Sequence, residues 1–325
     1  MSTLDATGQT TRRPFEGRRV HPGDVILQAL AGGAALGTVI LLGLLVYKVV
    51  QGARLSLSTF GLGFVGSVGW DPLHNAMGAG SLLFGTAVTA IGALVLATPL
   101  ALGIALFLTE LAPSAIRGPV TALVETLAAI PSVVIGLWGI IVLGPLLRDH
   151  VMPALHSALG FIPLFGEPSP TGTGIFTAIV VLTIMILPII SSISRELFLG
   201  VPGELKEAAL GLGTTRWEMV RGVMFPYARG GIAAAMILGL GRAVGEAIAV
   251  AQVIGAFDNG ISWNLFNNGD TLAAKLANEF ASSTTNLETA SLFYVAVILL
   301  VFSLAVNILA QVIVRRVDRA QGRTV

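Results

Sequence analysis

The chain has 325 residues, of which 54% are hydrophobic and only 11% charged, with a net charge of +1 and no cysteine. An average soluble domain carries about 25% charged residues, so this composition excludes an ordinary water-soluble globule. The absence of cysteine excludes disulfides and thiol chemistry, and the near-zero net charge gives no electrostatic footprint for nucleic acid.

Residues 1–24 are polar and basic, without the short apolar core and small-residue cleavage site of a signal peptide, which predicts a cytoplasmic N-terminal tail. Uncharged runs then recur, each near the roughly 20 apolar residues that cross a bilayer. They predict spans at about 25–47, 80–109, 120–147, 174–194, 231–256 and 289–314, with a C-terminal tail at 315–325. The expected fold is therefore all-α, a polytopic membrane protein of about six transmembrane helices. With the N-terminus assigned to the cytoplasm, fourteen Lys and Arg residues fall on the cytoplasmic side. Four lie opposite (Lys48, Arg54, Arg148 and Lys275), and Arg242 lies inside the membrane. Basic residues favour cytoplasmic loops, so this split supports both the span count and cytoplasmic termini.

Within this frame, Gly61–Gly66 reads GLGFVG, a match to G-x-G-x-x-G, but its place in a non-cytoplasmic loop without a βαβ context makes it a chance match. Pro99, Pro131 and Pro188 fall in apolar spans and are expected to kink them. Glu125 is expected at an interface near the start of the third span, and Trp70 and Trp138 as interfacial anchors. His21, His74, His150 and His156 fall in tails or loops with no partner at metal-ligand spacing. No metal site, no catalytic constellation and no Walker A sequence is visible, so the chain reads as a non-enzyme without a cofactor of its own.

The connection at 195–230 predicts two short helices. Pro202 suits the first helical position, Glu204 and Glu207 suit the positive N-terminal end, and Gly211 or Gly213 suits the stop. Thr215 and Glu218 match a capping box for the second helix, which Pro226 is expected to break. Leu205, Ala208, Ala209 and Leu212 form an apolar stripe on the first helix, as a helix seeking a groove would. A solvated re-entry loop would satisfy the same local signals.

The fifth span carries Arg242 and Glu246. Arg242 follows Gly231 by 11 residues, about 17 Å along a helix and thus near the middle of a ~30 Å hydrocarbon core. Insertion scales put the cost of an arginine there at about 2.5–3.5 kcal/mol. At i, i+4 the two side chains are expected to share a face and pair. Gly241 and Gly245 are expected to let a neighbouring helix approach closely. On residue physics alone the charges serve either as a lock between helices or as a pore-facing site. Further on, Asp270–Phe280 reads as an amphipathic helix on the outer side.

The connection at 195–230 resembles the EAA loop of binding-protein-dependent ABC importer permeases. Glu207, Ala208, Ala209 and Gly213 match its pattern, followed at the right spacing by Val223, Phe225 and Pro226. Glu125–Gly139, Met185–Phe198, Glu207–Ile232 and Ile237–Val250 further resemble the PstC-type permeases of the phosphate-specific ABC importer. Ala247 departs from that pattern, which has threonine. The resemblance implies a type I ABC importer permease fold in a bacterial plasma or inner membrane. Its implied partners are a homologous second permease, two cytosolic ATPase subunits holding ATP and Mg, and an external phosphate-binding protein. It also implies that Glu207, Ala208, Ala209, Gly213 and Pro226 couple to the ATPase and that Arg242 and Glu246 line a phosphate path. Other oxyanions such as molybdate, sulfate or a phosphonate are the alternative substrates; an ion-coupled carrier or channel would need no docking loop.

Overall fold

The computed structural model describes residues 22–256 and 260–319; the expected tail at 1–24 lies almost wholly outside them, as does the end of the tail at 315–325. The chain divides into two units, Met1–Lys48 and Val49–Val325. The described part of the first is helical and presents Leu27, Leu30, Leu36 and Leu41 outward, a surface suited to acyl chains rather than water. Its helix, α1 (Pro22–Phe60), ends within the second unit.

The second unit is built on two helices packed along their length, α2 (Gly80–Leu106) and α5 (Ile175–Leu199). Ala90, Ala93, Ala97, Ala101 and Ala105 form a fully buried stripe on α2, and a β-carbon on Gly92 would lie 2.8 Å from Ile179. Small residues at this spacing bring two backbones together, and dispersion replaces the hydrophobic drive that lipid cannot supply. Helix α5 is buried on several sides, through Ala178, Val181, Leu182, Ile186 and Ile190. Pro99 lies within α2 and Pro188 within α5.

Between these two helices lie α3 (Ser114–Ala129), which buries none of its residues, and a helix α4 (Ser132–Leu159). The chain breaks at Ile130 and Pro131, both extended, since a residue before proline is pushed out of the helical region. The third apolar helix therefore runs over Ser132–Leu159 instead of 120–147, and Glu125 lies on exposed α3. After α5 come α6 (Gly203–Gly211), α7 (Arg216–Gly245) and α8 (Ile248–Val253), then α9 (Leu272–Glu279) and α10 (Asn286–Arg319). Among the described residues six helices are long and apolar enough to cross a membrane: α1, α2 with its continuation to Leu111, α4, α5, α7 and α10.

The only strands among the described residues are β1 (Trp70–Asp71) and β2 (Ala76–Met77), an antiparallel pair with Trp70 opposite Met77. Asn75 takes φ +52° in their turn. Asp71 Oδ1 accepts from the Leu73 and His74 amides at 3.0 and 3.2 Å, and Asp71 Oδ2 pairs with His74 Nδ1 at 2.6 Å. Trp70 is no interfacial anchor: it is buried, edge-on to Phe64, which stacks on Tyr294 at 4.7 Å. Trp138 is half-exposed and lines an apolar cavity with Leu127, Ile130 and Ile184.

Candidate functional site

The loop expected to couple has the two helices its local chemistry calls for. Helix α6 starts one residue later than expected, with Pro202 as the extended cap and Gly203 as the first helical residue. Gly213 supplies the stop, at φ +84°. The Gly213 amide donates to Leu210 O at 3.0 Å and the Thr214 amide to Ala209 O at 3.4 Å. Those two bonds form a Schellman motif, which needs a residue in the left-handed region and so favours glycine. The Thr215–Glu218 capping box is complete: the Glu218 carboxylate accepts from the Thr215 amide at 2.8 Å, and the Glu218 amide donates to Thr215 Oγ1 at 3.3 Å.

Pro226 does not break the second helix. Helix α7 runs unbroken from Arg216 to Gly245, passing through a wider π turn at Val220–Met224 just before the proline. A π turn sets aside the i→i−4 pattern that proline can neither donate to nor fit against sterically.

Helix α6 buries none of its residues. Leu205, Glu207, Ala208 and Leu212 are exposed, with Leu212 at 86%, and only Ala209 turns toward the helices behind. Trp217 extends the apolar patch at 64% exposure. The helix is tethered from its other face, where Lys206 Nζ donates to Glu110 Oε1 at 2.6 Å and to Phe198 O at 3.4 Å. Glu110 lies in the π turn Phe107–Leu111 that ends the second apolar helix. No local signal announces this tether, because neither residue is unusual in its own sequence surroundings.

The intramembrane charges differ from expectation in a way that changes their chemistry. Helix α7 ends at Gly245; Glu246 is extended, at φ −72° and ψ 116°, and helix α8 follows at once. Arg242 and Glu246 therefore do not share a helical face, and no ion pair joins them. Glu246 Oε1 instead accepts from the Ala249 amide at 3.3 Å, capping α8. This also accounts for Ala247, where a hydroxyl was expected: the carboxylate next to it serves the free amide, and the Ala247 methyl lies in an apolar groove with Leu276, Phe280 and Phe293.

The break is imposed by packing. Helix α8 lies against the start of α4, where a β-carbon on Gly136 would come within 2.8 Å of Ala249 Cα. Its far end is bonded to two loops, through Gly174 N to Val253 O at 3.0 Å and Gly269 N to Ile254 O at 3.1 Å. A helix continuing straight from α7 could not make these contacts. Non-helical backbone at membrane depth is tolerated where protein covers it or where it lines a cavity. Among the described residues no helix of this chain makes a close approach at Gly241 or Gly245: Gly245 has open space beside it and Gly241 only ordinary contact with Asn307. The tight crossings of α7 are made at Gly231, against Leu197, and at Gly239, against Ile190.

Arg242 is exposed and, among the described residues, has no hydrogen bond or ion pair. It opens onto a groove of about 680 Å³ lined by Ile189, Ala234, Ile237, Leu238, Gly241 and Asn307. An unpaired guanidinium on an apolar helix is costly unless an anion or another chain meets it.

Residues 97–319 match the family described as binding-protein-dependent transport system inner membrane component. The chain belongs to that family. The permease is 41% identical over 309 residues to the phosphate transport system permease protein PstC of Mesorhizobium japonicum, covering 94% of each chain. It is 42% identical over 293 residues to PstC 2 of Mycobacterium tuberculosis, covering 88% of this chain and 90% of that one. Among solved structures, a permease chain of the bacterial alginate ABC transporter, in complex with its alginate-loaded periplasmic protein, aligns with a TM-score of 0.60. That match has 15% identity and covers 91% of this chain and 97% of that one. A chain of the inward-facing MetNI methionine ABC transporter aligns at 0.51 with 22% identity, covering 73% and 96%. These two show the fold, that of type I ABC importer permeases. The permease is thus a multi-pass inner-membrane protein.

Proposed function

We propose that this permease conducts inorganic phosphate, delivered by an external binding protein, through an importer driven by ATP hydrolysis on separate cytosolic subunits. The observation that carries the reading is Arg242: a guanidinium without a partner among the described residues, near the end of the apolar helix α7, facing an open groove. Its planar fork of donors matches phosphate oxygens two at a time, and the high identity to phosphate permeases supports that ligand. Glu246 stands outside the groove that Arg242 lines and is a second, separate point on the same path. There the carboxylate oxygen not engaged with Ala249 accepts a hydrogen bond from the proton that phosphate keeps at neutral pH, whereas sulfate has no proton to offer.

The exposed patch of Leu205, Ala208, Leu212 and Trp217 suits a cleft on an ATPase subunit, with Glu207 on the same free helix. With both termini cytoplasmic, this patch faces the ATPase, and closure of two ATPase subunits moves α6. Pro226 then lies at the foot of α7, the helix that carries Arg242, so movement at the loop reaches the substrate groove through one continuous helix. A homologous second permease completes the other wall.

The test is uptake of radiolabelled phosphate by proteoliposomes holding the full assembly, wild type against Arg242→Gln. The reading expects uptake to collapse while assembly and ATP hydrolysis persist. Unchanged uptake would make Arg242 a contact between chains and place the phosphate site elsewhere.

A further inference from the structure

Past its first two turns, the apolar length of α10 carries few polar side chains before Val312, Ser303 and Asn307 among them. A carboxamide in lipid has no water to satisfy it, so a polar side chain at such depth marks a partner or a path. Asn307 is half-buried and, among the described residues, has no hydrogen bond. It lines the same groove as Arg242, whereas Glu246 does not. A β-carbon on Gly241 would lie 3.7 Å from Asn307 Oδ1 and 3.9 Å from Nδ2, so the carboxamide lies against the backbone beside Arg242.

These two side chains are the groove's only polar ones among the described residues, and their chemistry is complementary. Arg242 offers donors and no acceptor, while a carboxamide offers two donors on nitrogen and an acceptor on oxygen. A phosphate carrying one proton needs both kinds of partner. We propose that Asn307 is a second substrate-contacting residue of the permease. Its Nδ2 donates to a phosphate oxygen held by Arg242, and its Oδ1 accepts from the phosphate hydroxyl. The proposal rests on the reading of Arg242 as the phosphate site. It gives the groove a neutral acceptor that recognises the protonated oxyanion without adding a repelling charge.

The experiment uses the full assembly in proteoliposomes with saturating phosphate-loaded binding protein. It measures phosphate uptake and ATP hydrolysis together for Arg242→Gln, Asn307→Leu, Asn307→Gln and Asn307→Asp. Loss of a hydrogen bond to a charged group predicts about a tenfold or larger fall in uptake for Asn307→Leu. Hydrolysis should be retained, so that phosphate moved per ATP falls. Asn307→Gln should restore part of it, and Asn307→Asp, a nearly isosteric change that sets a carboxylate beside Arg242, should transport less than Asn307→Leu. If Arg242→Gln abolishes uptake and Asn307→Leu does not lower it, this proposal is overturned and the Arg242 reading stands. If neither change affects uptake, the Arg242 reading itself fails. If Asn307→Leu lowers hydrolysis and uptake in parallel or prevents assembly, Asn307→Asp decides: transport at the wild-type rate makes Asn307 a packing residue and overturns the proposal.

Discussion

Removing the ammonium of Lys275 should destabilise the permease more than any surface substitution. Lys275 lies on α9, only 2% exposed, with its Nζ 2.6 Å from Glu279 Oε1, 3.9 Å from Asp270 Oδ2 and 4.9 Å from the centre of the Trp70 ring. Asp270 is equally buried, and its Oδ1 accepts from the Thr271 amide at 2.8 Å. Lys275→Met keeps the length of the side chain and deletes the charge. Asp270 then loses the Lys275 charge while still in the interior, and Glu279, 28% exposed, regains only part of its hydration. Breaking a buried ion pair from one side costs about 3–5 kcal/mol; loss of the cation–π contact adds about 0.5–2 kcal/mol. The lower end, about 3 kcal/mol, already corresponds to more than a hundredfold change in the folded ratio. Chemical unfolding in mixed detergent micelles, followed by tryptophan fluorescence, reads this directly, because Trp70 touches the substituted side chain. A second variant, Glu279→Gln, completes a double-mutant cycle with an expected coupling of about 1–3 kcal/mol. A cost below about 1 kcal/mol, or zero coupling, would show that water reaches Lys275 and that the cluster is no buried pair.

Three further outcomes are expected. Glu246→Gln keeps an oxygen to accept from Ala249 and so should leave stability unchanged while weakening the preference for phosphate over sulfate; Glu246→Ala should cost about 1 kcal/mol through loss of the cap. Competition uptake and thermal unfolding separate the two effects, and an unchanged preference in Glu246→Gln would remove the carboxylate from selectivity. Gly213→Ala meets no neighbour, since nothing lies near its added carbon, so its cost is the left-handed backbone alone, about 1–2 kcal/mol. It should fray α6 and lower transport-coupled ATP hydrolysis; undiminished coupling would show that the end of α6 is not needed in docking. In the β1–β2 turn, the hydrogen bond from His74, aided by the His74 and Leu73 amides, holds the Asp71 carboxyl below its ordinary value. A lowered carboxylate stabilises above the unfolded value, about 3.9, and that contribution is lost as pH falls through the folded value. Amide-exchange protection of Leu73 and His74 should therefore persist at pH 5–7 and fade below about pH 4; protection unchanged well below pH 4 would show that the Asp71 carboxylate does not hold the turn.

The features legible in the sequence are those whose cause is local. Composition and the length of apolar runs set the solvent and the number of spanning helices, because a bilayer demands both. Thr215 and Glu218 form their box, and Gly213 its left-handed stop, from backbone chemistry within a few residues. The EAA-like spacing of Glu207, Ala208, Ala209 and Gly213 is equally local, carried within one short exposed helix and its stop. Features requiring a distant partner were not. Nothing near Pro226 announces the π turn that carries α7 past it. Spacing alone placed Glu246 on the face of Arg242, since continued helix is the locally favoured state. Tertiary structure ended α7 at Gly245 because α8 gains more by packing on Gly136 and bonding two loops than by extending the helix. That single break separates the two charges, turns Glu246 into a cap and leaves Arg242 lining a groove with Asn307. The sequence by itself determined six apolar spans, a two-helix loop between two of them and an arginine within the fifth; only the tertiary structure decided which side chain shares the groove with that arginine, because the neighbour comes from a helix that sequence spacing cannot bring near.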